Sequence, residues 1–137
     1  YRTAFIPWSP LAAGGLTGKY TRNAQQASGT RFGDETDPVK LKRFSGGVMD
    51  IVDGLVPLAE SHNATVAQIA LAWVAAQPGV TAPIAGPRTL DQFKDNLGAL
   101  NVELTTEDLD KIDDLAAPGT NVAEYYEASF ESNAHRF

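Results

Sequence analysis

The chain contains no cysteine. That absence excludes disulfide scaffolds, thiol nucleophiles and cysteine–zinc sites. Histidine is scarce: His62 and His135 lie far apart in sequence, so a histidine-based metal cluster is not expected and no metal ligand is assigned. Positive charge is also short, with 11 Lys and Arg against 17 Asp and Glu, a net charge of -6. Nucleic acid requires a positive footprint and is not an expected partner. No apolar run approaches the roughly 18 residues of a membrane span. The opening YRTAFIPWSP carries neither an initiator Met nor a basic-then-apolar leader. With the lack of cysteine, this favours a cytoplasmic location. What remains is ordinary for a globular domain: 137 residues, 43% hydrophobic and 20% charged.

Thr3-Ala4-Phe5-Ile6 is an apolar, β-prone run. A strand beginning at residue 3, with no initiator Met, suggests a chain cut from something longer. SPLAAGGLTGK (residues 9–19) is rich in turn formers, and residues 20–40 show no period, so 9–40 is expected to be loop. Leu41, Phe44, Val48, Ile51, Leu55 and Leu58 recur at three- and four-residue steps, which predicts a helix over much of 41–62, kinked or interrupted near Pro57. Thr65 and Gln68 form a capping box before Val66, Ile69, Ala70, Leu71, Trp73 and Val74. A helix over 65–77 that is apolar almost all round is a buried one. Val80, Ala82 and Ile84 alternate between Pro-Gly and Gly-Pro, as in a short buried strand. Thr89 and Gln92 make a second capping box, with Leu90, Phe93, Leu97 and Leu100 as one apolar face. Thr105 or Thr106 caps a last helix with Leu109, Ile112 and Leu115 inward and Glu107, Asp108, Asp110, Asp113 and Asp114 on a solvated face. Tyr125, Tyr126, Phe130 and Phe137 mark a tail without period. Strands alternating with helices indicate a parallel α/β arrangement, yet two strands are too few for such a sheet.

Two segments carry candidate chemistry. In SPLAAGGLTGK, a strand running into a glycine-rich turn can present backbone N–H groups to a phosphate. Ser9 and Thr17 add hydroxyls and Lys19 a cation. The spacing is not that of a phosphate-binding Walker loop, since Ala13 and Tyr20 stand where glycine and Ser or Thr are needed. The alternative is a flexible turn. In GPRTLDQFKDN (residues 86–96), Gly86 ends a strand and Thr89 opens a helix, a junction that binds anions in α/β folds. Arg88 stands where it can pair with a phosphate or stack on an aromatic base. Gln92 and Asn96, four apart, share a helix face and carry the donor and acceptor groups that read an adenine edge, with Asp95 flanking them. The alternative leaves Gln92 as a capping partner and Asn96 as a solvated amide.

Phe5-Ile6-Pro7-Trp8-Ser9-Pro10-Leu11-Ala12 with Gly15-Leu16-Thr17-Gly18-Lys19-Tyr20 closely resembles the aldo-keto reductases. So do Val66-Ala67-Gln68-Ile69-Ala70-Leu71-Ala72-Trp73-Val74, Pro83-Ile84-Ala85-Gly86-Pro87-Arg88, and then Gln92 and Asn96-Leu97. The resemblance covers about residues 3–116 and is strongest to the branch of bacterial general-stress reductases and potassium-channel β subunits. It implies an α/β fold, the TIM (β/α)8 barrel, of which this chain would carry the seventh strand (about 3–8), a cofactor loop (9–40), helices (41–77), the eighth strand (80–85), helices (89–117) and a tail (118–137). It implies NADP(H) as cofactor. Trp8, Ser9, Pro10, Leu11 and Ala12 would lie along it, with Trp8 near the nicotinamide. Lys19 would reach the pyrophosphate and Arg31 would close over the cofactor. Gly86 and Arg88 would hold the 2′-phosphate, and Gln92, Asp95 and Asn96 the adenine.

The family's catalytic Asp, Tyr, Lys and His come from earlier strands, so no catalytic residue is expected in this chain, which should be inactive alone. The expected parent is an NADP-dependent reductase of small aldehydes or ketones. The alternatives are a nucleotide-sensing regulatory subunit and an inactive truncated remnant. Unpaired strands would favour self-association.

Overall fold

The computed structural model describes residues 3–20, 22, 26–36, 41 and 46–123. Phe44, His135 and the tail from residue 124 on, with its aromatic residues, lie outside the described residues. The described chain is largely helical. Helix α1 is Gly46–Ser61, α2 Val66–Ala76, α3 Leu90–Leu97 and α4 Thr106–Leu115, with short 3-10 helices at Ala12–Thr17 and Gly98–Asn101.

Helix α2 is the hub. It packs against α1, α3 and both 3-10 helices. Its start follows from the capping box: the Thr65 hydroxyl accepts from the Gln68 N–H, and the Gln68 side chain accepts from the Thr65 N–H. Val66, Ala67, Ile69, Ala70, Leu71 and Ala72 are all buried, and Ile69 is 0% exposed. The core around Ile69 draws in Leu55, Leu58 and Ala59 of α1, Val66 of α2 and Ile112 of α4. Each large apolar side chain among them contributes about 1.5–3 kcal/mol by leaving water.

Helix α1 is continuous through Pro57, so of the kink or interruption expected there the interruption does not occur. A proline inside a helix forfeits one backbone hydrogen bond and costs about 3 kcal/mol. Burial of Val48, Met49, Val52, Leu55 and Leu58 along one side of α1 offsets that cost. Pro57 itself faces outward.

Where strands were expected at 3–8 and 80–85, the described residues make two isolated parallel bridges, Phe5 with Val80 and Trp8 with Ile84. Thr81 N–H donates to Phe5 O and Ile84 N–H to Pro7 O, both at 2.8 Å. The pairing direction is that of a parallel sheet, but no continuous ladder forms among the described residues. Nor is this segment buried: Phe5, Ile6, Trp8 and Ile84 are all more than half exposed. Buried parallel strands need cover on both faces, and these side chains lack it. The same holds for the apolar face of α3, where Leu90, Phe93 and Leu97 stand in solvent.

Within 9–40, the segment Ala12–Thr17 makes 3-10-type turns whose backbone is non-helical at Ala13, Gly14 and Leu16. One other expectation is corrected. Asp108 is not on a solvated face. It is 7% exposed, because Thr105, the N-cap of α4, and His62, just past α1, both turn their polar atoms onto its carboxylate. Thr105 N–H donates to Asp108 Oδ2 at 2.9 Å and the Thr105 hydroxyl at 2.8 Å, while His62 Nε2 lies 3.0 Å away. These donors, led by the Thr105 backbone, hold the Asp108 carboxyl below its ordinary pKa.

Candidate functional site

A cleft of about 520 Å3 opens where the 3–8 segment, the turn after it, the loop around Arg31 and the 84–96 segment converge. Trp8, Ser9, Pro10, Leu11, Lys19, Arg31, Gly86, Arg88, Gln92, Asp95 and Asn96 all line it. Of the cofactor-binding residues expected from sequence, Ala12 alone is not on the lining. Ala13, Gly14, Thr17, Ala67, Ile84, Ala85 and Pro87 complete the wall. Sequence reasoning missed Ala67, because nothing in an all-apolar helix marks which of its buried residues borders a cleft.

The turn over 9–18 is tightly folded. Ser9, Ala12 and Ala13 adopt φ values of 57°, 48° and 58°. For residues other than glycine this left-handed backbone costs on the order of 1 kcal/mol or more each. Hydrogen bonds hold the turn in place: Ala12 N–H to Ser9 O, Ala13 N–H to the Ser9 hydroxyl, Gly14 N–H and Leu16 N–H to Leu11 O. The Thr17 hydroxyl is spent on Gly14 O at 2.7 Å. The backbone donors of 12, 13, 14 and 16 are therefore satisfied within the turn rather than offered to an anion. Gly14, at φ 98°, adopts a backbone conformation that side-chain-bearing residues rarely take, and Lys19 lies beside it.

Positive charge gathers in this cleft although the protein as a whole is acidic. Lys19, Arg31 and Arg88 line it against one carboxylate, Asp95. The groups able to meet an anion here are cationic side chains, since the backbone N–H groups of 12, 13, 14 and 16 are taken up within the turn. The loop bearing Arg31 is organised from within. Asp34 accepts from the Ser28 hydroxyl at 2.9 Å and from Gly29 N–H at 2.7 Å. Phe32 anchors the loop by meeting the Tyr20 ring edge-on at 5.1 Å, beside Met49 of α1. Arg88 ties across to it by donating to Gly29 O at 3.3 Å.

The second capping box forms only in half. The Thr89 hydroxyl caps Gln92 N–H as expected. Gln92 Oε1, however, accepts from Arg88 N–H at 2.8 Å instead of reaching Thr89. The bond stiffens the turn that presents Arg88. It leaves Gln92 its amide hydrogens for anything in the cleft. A phosphate-bearing, aromatic ligand fits these residues: cations for phosphate, amides for a heterocycle edge, and the ring of Trp8 as a wall.

The aldo/keto reductase family model matches residues 3–117. The chain belongs to the aldo/keto reductase family. Among aldo/keto reductases and their kin, an uncharacterized oxidoreductase of Bacillus subtilis, YrpG, is 34% identical over 88% of this chain and 35% of its own length. A probable voltage-gated potassium channel subunit beta of Arabidopsis thaliana is 40% identical over 77% of this chain and 33% of its own. The L-glyceraldehyde 3-phosphate reductase of Escherichia coli O157:H7 is 31% identical over 83% of this chain and 34% of its own. The chain spans about a third of the length of these curated relatives. Membership of the aldo/keto reductases implies the TIM barrel as the family's fold, and the described residues form a largely helical piece consistent with part of one. Among the described residues, no helix is long and apolar enough to cross a membrane.

Proposed function

We propose that this chain supplies the pyrophosphate- and adenosine-binding half of the NADP(H) site of a cytoplasmic enzyme that reduces aldehydes or ketones. The cleft carries the reading: three cations converge on it in an acidic protein, beside two amides on one helix face. The cofactor, when bound, supplies hydride to a carbonyl carbon. Lys19 neutralises the pyrophosphate. Arg31 rides on the braced loop and covers it. Arg88 offers the 2′-phosphate paired planar donors, its position stiffened by the Gln92 bond to its own N–H. Gln92 and Asn96 donate to ring nitrogens of the adenine, and Trp8 walls the nicotinamide side. Proton transfer to the carbonyl oxygen is left to residues of the earlier strands, so the 137-residue chain alone should not turn over carbonyl substrates.

The deciding experiment is Arg88→Ala in the protein expressed from its complete reading frame, with NADPH and NADH binding followed by fluorescence titration. Hydrogen bonds to charged groups are worth about 1.5–3 kcal/mol, so NADPH should weaken roughly ten- to a hundred-fold. NADH, lacking the 2′-phosphate, should lose much less. The Gly29 contact of Arg88 serves both cofactors, so the difference between them isolates the phosphate. Equal losses would assign Arg88 to stacking on the adenine, and no loss for either would overturn the mapping. Likeness to the channel subunit favours a second reading, a nucleotide-sensing regulatory subunit. Carbonyl turnover by the same wild-type protein separates the two.

A further inference from the structure

Helix α3 buries none of its own residues. Leu90 is 65% exposed, and Phe93 and Leu97 also stand in solvent. Apolar packing seats only in part the helix that presents Gln92, Asp95 and Asn96 to the cleft, since Phe93 and Leu97 keep 48% and 46% of their surface exposed. A polar clamp from α2 adds to it. Gln68 Nε2 donates to the Asp95 backbone carbonyl at 2.8 Å and to Asp95 Oδ1 at 3.0 Å. The Thr65 hydroxyl donates to Asp95 Oδ2 at 3.3 Å while accepting from Gln68 N–H. At the same time Gln68 Oε1 accepts from Thr65 N–H at 3.1 Å. One neutral amide thus caps α2 with its oxygen and holds α3 with its nitrogen. Gly98, just past α3, makes room for it, since an added Cβ would overlap the Gln68 amide.

We infer that Gln68 is a positioning residue for the adenosine side of the cleft, orienting Asp95 and with it Asn96 and Gln92. The inference rests on the cofactor reading above. The side chain must be an amide: an ionised carboxylate can keep the cap but has no hydrogen to donate. Asp95 accepts two side-chain donors, which holds one carboxylate fixed beside a cationic cleft.

The test is Gln68→Glu in the complete protein, with NADP+ and NAD+ binding measured from about pH 5 to 8, because a carboxylate placed beside a second one holds its proton above the ordinary carboxylate value near pH 4. The introduced carboxylate preserves the acceptor for Thr65 N–H, so helix content by circular dichroism should stay at the wild-type level. Both cofactors, which share the adenosine, should weaken about ten-fold at the alkaline end. The loss should shrink as pH falls, because a proton on the introduced carboxylate restores the missing donor. Gly98→Ala should weaken both cofactors without that recovery. If Gln68→Glu binds both as the wild type does while Arg88→Ala still loses NADPH, the inference fails and the cofactor reading stands. If neither variant changes binding, both fail. A loss identical at every pH would mark general loosening of the fold and overturn the role given to Gln68. Should Gln68→Glu not fold, unchanged affinity in folded Gly98→Ala overturns it equally.

Discussion

The helical core and the cleft are built on opposite plans. Around Ile69, elements hold each other by apolar burial, and polar groups at the helix starts close onto one another. Around Trp8 and Arg88, large apolar side chains are roughly half exposed or more, and the elements meet largely through a few hydrogen bonds. The first region holds its shape from within. The second holds a surface ready for something else to cover or fill, and a site held by few polar links is sensitive to each of them.

The sharpest way to break this contrast is Ile69→Ala in the 137-residue chain. A fully buried isoleucine removed from a packed core should cost about 2–5 kcal/mol by chemical denaturation. A cost near that of an exposed site would show that the core is not the support it is taken for.

Thr105→Ala probes the polar edge of the core. Loss of an N-cap costs about 0.5–2 kcal/mol, and here it also removes a donor to Asp108. Because the folded Asp108 pKa is depressed, its contribution is complete above the ordinary carboxylate value near pH 4 and is lost as pH falls through the folded value. The difference between wild type and Thr105→Ala should therefore be constant near neutrality and narrow in acid. A difference that grows in acid would contradict the sign.

The smallest effect belongs to the open side. Leu100 is 81% exposed, so Leu100→Ser should change stability by no more than about 0.5 kcal/mol. Light scattering of concentrated solutions should fall in the variant, since self-association is expected through the uncovered apolar face. A large loss of stability with unchanged scattering would mean that Leu100 is covered within the monomer.

What the sequence made legible was local. The Thr65–Gln68 box, the Thr105 cap and the all-apolar α2 are written in neighbouring residues, and each stands where it was expected. The residues that the resemblance singled out, Ala12 excepted, share one cleft with others to which it gave no role, such as Ala67 and Pro87. The rest depended on residues distant in sequence. Asp108 read as solvated because its partner His62 lies 46 positions away. Gln68 read as a capping residue because Asp95 lies 27 positions away. The turn over 9–18 read as a source of free N–H groups because its internal bonds depend on left-handed residues that composition does not announce. Strand-like runs at 3–8 and 80–85 kept their pairing direction but formed no ladder, since a run of β-prone residues cannot supply the neighbours that bury it.

The bridges from Phe5 to Val80 and from Trp8 to Ile84 also have a consequence in time. During synthesis at roughly 5–20 residues per second, the cleft's first half must wait several seconds for its second to appear. Helices form within about a microsecond, so α1 and α2, which lie between the two halves, have every opportunity to pack before the bridges can close. The cleft's second half is then laid beside a helix pair already made, while α4, which adds Ile112 to the core, is still to come. Phe5, Ile6 and Trp8 stay more than half exposed even after the bridges close.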